Sequence, residues 1–197
     1  MERPNKNVAR GEATRAHITE TATSLFASRG YEDTSIEAVL DEAGVSRGSL
    51  YHHFASKEAL FEAVLEDVEA RVGAQTMEAA VAADGPAAAL RAGCMAWIKL
   101  AGDPVVQRIV LIDAPSVLGW KRWRALEEQP LSLMKAALQE IADDGKLRPE
   151  LVETLAHVLL ASVNEVTLLI AGSPDQAAAM KAGAETIDEL LRRLLNL

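Results

Sequence analysis

The first quarter of the chain places hydrophobic residues at helical spacing, in four runs that glycine or serine separates. Because positions i, i+3, i+4 and i+7 share one face of a helix, each run predicts an amphipathic helix. Gly30 and Gly44 follow the first two runs, and Ser46 and Ser56 stand at N-cap positions of the next two. The four runs span residues 18–26, 36–43, 50–54 and 60–72. The chain is therefore expected to begin with three short helices and a longer fourth.

A capping box is predicted where the second helix begins. Thr34 and Glu37 have the required spacing, in which a hydroxyl caps the backbone and a carboxylate three residues later reaches back. Glu37 and Asp41 are four residues apart and share one face of this helix. We expect that acidic face to point away from any nucleic acid.

The rest of the chain predicts five further helices, and strand-like alternation of useful length is missing from the sequence. Asp103-Pro104 and Ser173-Pro174 each place an N-cap residue before a proline at the first helical position. The five helices are predicted over residues 86–101, 104–111, 120–144, 149–171 and 174–195. The helix from Pro149 is apolar nearly all round, which indicates burial against a second subunit as well as against its own core. We therefore expect an all-α protein of about nine helices.

Composition supports this fold class and limits the function. Alanine and leucine, both strong helix formers, supply 60 of the 197 residues, whereas aromatic residues make up 4 %. The net charge of −9 argues mildly against non-specific binding to nucleic acids or membranes, although basic charge can still be concentrated locally. The single cysteine, Cys94, excludes an internal disulfide and is expected to be a small buried hydrophobic residue.

The sequence predicts neither a signal peptide nor a membrane span. Residues 1–6 lack an apolar stretch, and the most apolar segment, 155–172, is interrupted by His157, Asn164 and Glu165. The reducing cytoplasm is the expected compartment. We expect no enzyme activity, because His157 and Glu165 have no visible nucleophile or oxyanion site beside them.

We also expect no cofactor and no metal ion. His52 and His53 are adjacent, so on a helix their side chains diverge by about 100° and do not share a metal in the usual i, i+4 way.

Residues 35–54 predict a helix-turn-helix, the unit whose second helix enters the major groove of DNA. The turn is Gly44-Val45. Between Ala43 and Lys57 no residue is acidic, while Arg47 and Lys57 are basic, so this segment carries a local charge of +2 in an acidic protein. We therefore expect double-stranded DNA as a partner, with base edges and phosphates contacted from the second helix.

A basic arm is predicted before the first helix. Its basic residues are Arg3, Lys6, Arg10 and Arg15, against one acid, Glu12. Two interpretations stay open, a disordered tail and an arm that enters the minor groove.

Several motifs in the first 65 residues resemble the TetR (tetracycline-repressor) family of bacterial transcriptional regulators. They are ASRGY at 27–31, TSI at 34–36, AGVSRGSLYHHF at 43–54 and SKEAL at 56–60. The segment IDAPSVLGW at 112–120 is similar to one branch of the family but names no ligand. The resemblance implies an all-helical homodimer with a DNA-binding domain over 1–54 and a ligand-binding and dimerisation domain over 55–197. A connecting helix over 56–80 would join the two domains.

The resemblance also implies roles for individual residues of the helix-turn-helix. Thr34 and Ser35 match positions where a helix N-terminus meets a phosphate, and Lys57 matches a phosphate-binding lysine. Ser46, Arg47 and Ser49 match positions near base edges, and Gly48 leaves room for close approach to the groove. The positions that match contacts to the phosphate backbone are Tyr51, His52 and His53.

The family further implies a pocket for a small-molecule effector between the fourth helix and helices five to eight. Few aromatic and many aliphatic residues favour a largely hydrophobic ligand. The expected apolar lining is Met95, Trp97, Ile98, Ile112, Trp120, Trp123, Met134 and Leu168. Asn164 is expected to orient the ligand, with Glu165 and Thr167 as weaker choices. These polar groups fit a dimer interface equally well, and that choice stays open.

The resemblance implies a repressor that binds a palindromic operator and leaves it when the effector binds. The homodimer is expected to form through the two C-terminal helices in a four-helix interface. Two alternatives stay open: a regulator that has no small-molecule effector, and an activator. A body without a cavity would favour the first alternative.

Overall fold

The computed structural model describes residues 6–195, which form helices and no strand, so the all-α prediction is confirmed. The α-helices are α1 (Lys6–Arg29), α2 (Ile36–Ala43), α3 (Arg47–His53), α4 (Lys57–Val81), α5 (Pro86–Leu100), α6 (Ala114–Leu126), α7 (Glu128–Asp143), α8 (Val152–Ala171) and α9 (Gln176–Leu195). A π-helix (Val106–Asp113) precedes α6, and a 3-10 turn (Pro149–Leu151) precedes α8. Of the predicted arm, Arg3 and the side chain of Lys6 lie outside the described residues, whereas Arg10 and Arg15 belong to α1.

The first three helices pack around the N-terminal half of α4. Phe26 of α1, Leu50 of α3 and Phe61 of α4 are fully buried. The rings of Phe26, Tyr31 and Phe61 lie with centroids 5.1 to 5.8 Å apart, in the stacked and edge-to-face arrangements that aromatic pairs favour. Burial of each such side chain contributes about 1.5–3 kcal/mol. This core fixes the orientation of α2 and α3 relative to α4.

α2 begins one residue later than the predicted capping box requires. The Oγ of Ser35 accepts a hydrogen bond of 3.1 Å from the N–H of Ala38, so Ser35 is the N-cap. Glu37 is then the second residue of the helix rather than the third. The capping box of Thr34 and Glu37 is therefore wrong, although Gly44 ends the helix as predicted, with φ 63°.

Serine caps also fix the starts of α3 and α4. The Oγ of Ser46 accepts from the N–H of Ser49 at 3.2 Å, and that of Ser56 accepts from Ala59 at 3.0 Å. Each cap contributes about 1 kcal/mol. The two serines therefore define where the second helix of the helix-turn-helix begins and where the long helix α4 takes over.

A second core lies between α5, α7, α8 and α9. Leu138 of α7, Leu159 of α8 and Leu191 of α9 are almost completely buried there. Cys94 of α5 belongs to the same core, as expected, and burial raises the pKa of its thiol to about 12. The thiol is therefore protonated at neutral pH and packs as a small hydrophobic side chain.

The predicted end of a helix at residue 111 is wrong, because the helical path continues through Pro115. The N–H of Ala114 donates to the carbonyl of Ile109, five residues back, which is the hydrogen-bond pattern of a π-helix. The wider turn continues the helical path at a proline, which has no N–H to donate. The chain changes direction only at Gly119, whose φ of 73° is non-helical.

The predicted helix over 120–144 is two helices, separated at Glu127. Pro130 explains the division, because a proline fits the first turn of a helix and disrupts its interior. The last helix begins at Gln176 instead of Pro174, since the Oδ1 of Asp175 accepts a hydrogen bond of 3.0 Å from the N–H of Ala178. Near Pro115, Pro130 and Pro174, local backbone chemistry thus explains why the observed helix boundaries differ from the predicted ones.

α8 has apolar side chains on nearly every side, as predicted, and only part of them meets the second core. Val158, Leu168 and Leu169 are 42 to 63 % exposed in the single chain. By length and composition alone, the segment 149–171 is apolar enough to cross a membrane, a test that core helices of soluble proteins also pass. By that test the polar residues His157, Asn164 and Glu165 do not exclude the segment, whereas the sequence analysis expected them to interrupt it.

Candidate nucleic-acid interface and ligand site

α3 presents one face to the core and the other to solvent. Leu50, with Phe54 just beyond the helix, anchors the buried face. The solvent face carries the residues that the sequence assigned to DNA. Of these, Ser46, Arg47, Gly48, Tyr51 and His52 are exposed, and Ser49 and His53 are half-buried. The fold therefore brings the predicted residues of α3 onto one accessible surface.

Arg47 of α3 pairs with Glu37 of α2 across the turn. The guanidinium Nη2 of Arg47 donates to the Oε1 of Glu37, and both side chains are more than half exposed. This hydrogen bond holds the pKa of the Glu37 carboxyl below its usual value. The expectation that Glu37 points away from the DNA-facing side is wrong, because its carboxylate lies against the first residue of α3.

The side chain of Thr34 has a structural role. It is completely buried, and its hydroxyl donates to the carbonyl of Gly30 at 2.7 Å and to that of Leu25 at 3.3 Å. A side chain without solvent access does not reach a phosphate, and the contact of a phosphate with the N-terminus of α2 stays a prediction. Ser35 is exposed, but its Oγ is already engaged in capping α2.

Lys57 begins α4 and is held beside the loop that leads to α2. Its Nζ lies 4.1 Å from the centroid of the Tyr31 ring and donates to the carbonyl of Glu32 at 3.4 Å. A cation over an aromatic face is attracted by the ring quadrupole. The side chain stays half-exposed, so the ammonium is placed close to α2 and still meets solvent.

A shallow groove of about 410 Å³ runs between α1 and α3. Arg15 lies along it, with its guanidinium carbon 5.2 Å from the centroid of the Phe54 ring. The groove is lined by Val8, Gly11, Glu12, Arg15, His52 and His53. The groove therefore places the guanidinium of Arg15, from α1, on the same side of α3 as His52 and His53.

In the body, a chain of polar contacts links α5 and α8 to the junction between α6 and α7. The Nε1 of Trp97 donates to the Oδ1 of Asn164 at 3.2 Å, and the Nδ2 of Asn164 donates to the Oε1 of Glu127 at 2.8 Å. Arg124 pairs with the other oxygen of Glu127. Two predicted residues, Trp97 and Asn164, are thus brought together. The sequence analysis missed Glu127, because a glutamate at a helix junction shows no signal of burial.

Other predicted pocket residues are not gathered at this place. Trp120 is 72 % exposed, Ile112 and Leu168 are about half exposed, and Glu165 is also on the surface. Ile98 and Thr167 are buried instead, and the hydroxyl of Thr167 donates to the carbonyl of Asn164 at 2.7 Å. The prediction that all these side chains line one pocket is therefore wrong for the single chain.

The three remaining residues of the predicted pocket are half-buried at different places. Trp123 stacks beside Trp120, with ring centroids 5.4 Å apart, and Met134 packs against the second core. Met95 lines an open groove of about 370 Å³ between α5 and α9, together with Met180 and with Ile98, which is also one of the predicted pocket residues. The concavities that stand out among the described residues are this groove and the one beside α3, and neither encloses a ligand-sized space.

A buried carboxylate of the π-helix binds the loop between α1 and α2 and an arginine of its own helix. The N–H of Tyr31 donates to the Oδ2 of Asp113 at 2.8 Å, and the Nε of Arg108 donates to the same oxygen at 3.2 Å. The Arg108 guanidinium lies so close to Gly30 that a Cβ there would come within 1.8 Å of it. Sequence reasoning did not single out these residues, since 82 positions separate Tyr31 from Asp113.

α4 and α6 meet at a cluster of charges. Arg122 of α6 lies 3.6 Å from Glu66 and 4.0 Å from Glu62, both on α4. Glu69, one turn further along α4, is half-buried, and desolvation raises the pKa of its carboxyl to about 7 although Arg122 lowers it. Within residues 6–195, no three His, Cys, Asp or Glu side chains are grouped to hold a metal ion.

Two family models match this chain. One is described as "Bacterial regulatory proteins, tetR family" and matches residues 18–64, which include α2 and α3. The other is described as "Tetracyclin repressor-like, C-terminal domain" and matches residues 87–194, more than half of the chain. The two matches together leave out residues 65–86, which include most of α4.

Relatives with an assigned function or a solved structure extend these matches. The chain is 26 % identical over 158 residues to the HTH-type transcriptional repressor KstR2 of Mycobacterium tuberculosis, covering 78 % of this chain and 79 % of that protein. It is 45 % identical to KstR2 of Mycolicibacterium smegmatis over 53 residues, which is 27 % of this chain and 26 % of that protein. A TetR-family transcriptional regulator from Pectobacterium atrosepticum has a TM-score of 0.83 and 32 % identity, covering 95 % and 96 % of the two chains. The likeness therefore extends beyond the helix-turn-helix to the whole fold.

Proposed function

The chain belongs to the TetR family of bacterial transcriptional regulators, and on this premise we propose that it represses transcription as a homodimer on a palindromic operator. A small hydrophobic molecule is proposed to release it. Residues 1–54 form the DNA-binding domain in this proposal, residues 55–197 the ligand-binding and dimerisation domain, with 56–80 as connector. In this proposal the protein binds double-stranded operator DNA in the cytoplasm.

The observation that carries the DNA-binding proposal is the exposed, acid-free face of α3. Arg47, Tyr51 and His52 point to solvent, while Leu50 anchors the opposite face in the core. The major groove admits an α-helix, and these side chains supply donors for base edges and phosphates. An overall charge of −9 favours contact through this locally basic face and disfavours contact elsewhere.

The exposed side of α8 supports the proposed homodimer. Val158, Leu168 and Leu169 all lie on surface of α8 that the single chain leaves open to water. α9 runs alongside α8 and carries small residues on its outer side, including Ala178 and Ala182, which permit close helix approach. Pairing of α8 and α9 with their symmetry mates would cover this surface. A two-fold dimer would then set two copies of α3 about 34–36 Å apart or slightly more, as a palindrome requires.

The effector site is proposed at the Trp97–Asn164–Glu127 contacts, where α5, α8 and the junction of α6 and α7 meet. A ligand there would exchange partners with Asn164 and displace α6. Asp113, at the end of the π-helix, bonds to Tyr31 beside α2. A shift of the π-helix would therefore move the DNA-binding domain relative to α4. Induction requires that the effector bind the DNA-incompetent arrangement more tightly than the competent one.

A regulator without a small-molecule effector is the second candidate. The closed polar contacts in the body favour it, since every donor and acceptor of Asn164 named above already has a protein partner. In that case either a partner protein or the concentration of the regulator itself would control repression. Trp97 fluorescence distinguishes the candidates in a screen of small hydrophobic molecules. A compound that releases the operator and changes this fluorescence supports the effector site, and release without any change contradicts its location.

Selection from a random pool of duplex DNA by the purified protein tests the main proposal. We expect enrichment of a palindrome that binds one dimer, and reduced transcription in vitro from a promoter that carries it. Enrichment of no sequence would contradict operator binding. Increased transcription would identify an activator instead.

A further inference from the structure

The ion pair between α2 and α3 involves the cation that begins the proposed recognition helix. Arg47 is the first residue of α3, and its Nη2 donates to the Oε1 of Glu37 on α2. The hydrogen bond to Glu37 and the charge of its carboxylate raise the pKa of Arg47, and Tyr51, one turn further along α3, adds to this to a smaller degree. The guanidinium is therefore held against a carboxylate on the solvent side of both helices.

An arginine without this partner would behave differently on DNA. A guanidinium on a long flexible side chain pairs with any phosphate, and such contacts strengthen binding to every sequence equally. A guanidinium with one edge engaged presents its remaining N–H donors in a fixed direction, which bidentate recognition of a guanine edge needs. The Glu37 carboxylate, with its pKa held low, also repels phosphates from the place that Arg47 occupies.

We propose that Glu37 is a specificity-determining residue of the DNA interface, which positions Arg47 for a base edge and keeps it from general phosphate binding. This inference rests on the proposed operator binding. Glu37 acts through Arg47, so its effect is on the choice between sequences and not on affinity as such. An acidic residue close to DNA then increases discrimination although it lowers the total affinity.

The chain supplies a matched control in Asp41. It lies one turn further along the same face of α2 and is exposed like Glu37, but the ion pairs found among the described residues do not include it. Removal of either charge weakens the repulsion between α2 and DNA. Only the change at Glu37 also releases Arg47.

The test compares E37Q, D41N and wild type on two duplexes, the palindrome that the wild type selects and a scrambled sequence of equal length. Binding is measured between 50 and 300 mM salt, with circular dichroism to verify folding. For E37Q we expect about three- to tenfold tighter binding to the scrambled duplex, with a salt slope steeper by about one, because one more phosphate is contacted. Binding to the palindrome should change less, so the ratio of the two affinities falls. D41N should tighten binding to both duplexes and leave the ratio of the two affinities unchanged.

A double-mutant cycle with R47A separates positioning from simple charge removal. In the R47A background, E37Q should no longer change the ratio beyond the effect of D41N. The proposal is overturned if E37Q and D41N give the same ratio, or if the effect of E37Q persists without Arg47. If the wild type selects no sequence at all, operator binding itself fails, and the role of Glu37 fails with it.

Discussion

At the scale of single residues, the cations near α3 differ in what holds them. Arg47 meets a carboxylate, whereas Lys57 lies over the Tyr31 ring and donates to a backbone carbonyl. Arginine presents a planar set of donors that suits base edges, and lysine is a point charge that suits phosphates. The two residues should therefore contribute to different properties of DNA binding.

Replacement of Arg47 by alanine should cost about 1–3 kcal/mol on the selected palindrome, and little on a duplex changed at the contacted base. Lys57→Ala should weaken binding to all duplexes alike and lower the salt slope by about one. Titration of labelled duplexes at several salt concentrations measures both effects. Unaltered sequence preference in R47A would show that another residue reads the base.

Glu69 makes stability depend on pH. Its carboxyl has a pKa of about 7 in the folded chain, against an ordinary value of 4.5 when unfolded. Between these values the folded state binds more protons than the unfolded state, so the free energy of unfolding falls as pH rises from about 4.5 to 7. Glu69→Gln should thus stabilise the protein at pH 8 by about 1 kcal/mol, since part of the carboxyl meets solvent, and should have no effect near pH 4.

Thermal unfolding at pH 4 and pH 8 provides the measurement for Glu69. Glu78→Gln is the control, because Glu78 is an exposed residue of the same helix. If Glu69→Gln raised the free energy of unfolding equally at both pH values, burial of the Glu69 charge would not be the cause of the stabilisation.

At the scale of elements, local chemistry predicts helices well and junctions poorly. Ser46, Gly44 and Ser56 define the helix-turn-helix from sequence, since caps and turns depend on neighbouring residues alone. The helical path through Pro115 and the division before Pro130 follow from proline at those positions, which the spacing of hydrophobic residues does not encode. The same limit applies to the candidate site. The α3 residues form one local face, whereas Asn164 and Glu127 meet only through tertiary structure.

The π-helix lies against both cores. It contacts α1 and α4 of the first core and α8 of the second, and its last residue is the buried Asp113. π-helical turns are frequent at functional sites. Asp113 therefore combines such a turn with the contact to Tyr31.

Asp113→Ala should destabilise the protein by about 1–3 kcal/mol, because the Tyr31 N–H and Arg108 lose their common acceptor. Thermal unfolding measures the loss, and Asp84→Ala, at an exposed loop position, is the control. We also expect faster hydrogen exchange at the Tyr31 amide. Protection of that amide in the variant equal to wild type would contradict the role of Asp113 as its acceptor.

At the scale of the whole molecule, the proposed dimer would determine whether two copies of α3 can bind one operator. The exposure of each leucine decides whether its substitution can test dimerisation. Leu191 is completely buried within the chain, so a charge there would unfold the protomer, whereas Leu169 is 63 % exposed. Only a charge at an exposed position can disrupt the dimer without also unfolding the protomer.

Leu168→Glu combined with Leu169→Glu should give a folded monomer that no longer binds the operator tightly, because each half-site alone provides too little affinity. Light scattering with size-exclusion chromatography measures the mass, and Val81→Glu, at an exposed position of α4, is the control. A dimeric double variant would place the interface elsewhere. A monomer with unchanged operator affinity would refute the need for a dimer.

The burial of Cys94 makes the spacing of the two DNA-binding domains directly measurable. It is the single cysteine of the chain, and a thiol with a pKa of about 12 in a packed core reacts slowly with alkylating reagents. A cysteine introduced at an exposed site such as Ala55 would therefore take up a spin label or dye selectively, without any change to the native core. In a symmetric dimer the two labels form one pair, whose distance distribution reports the arrangement of the domains with and without operator.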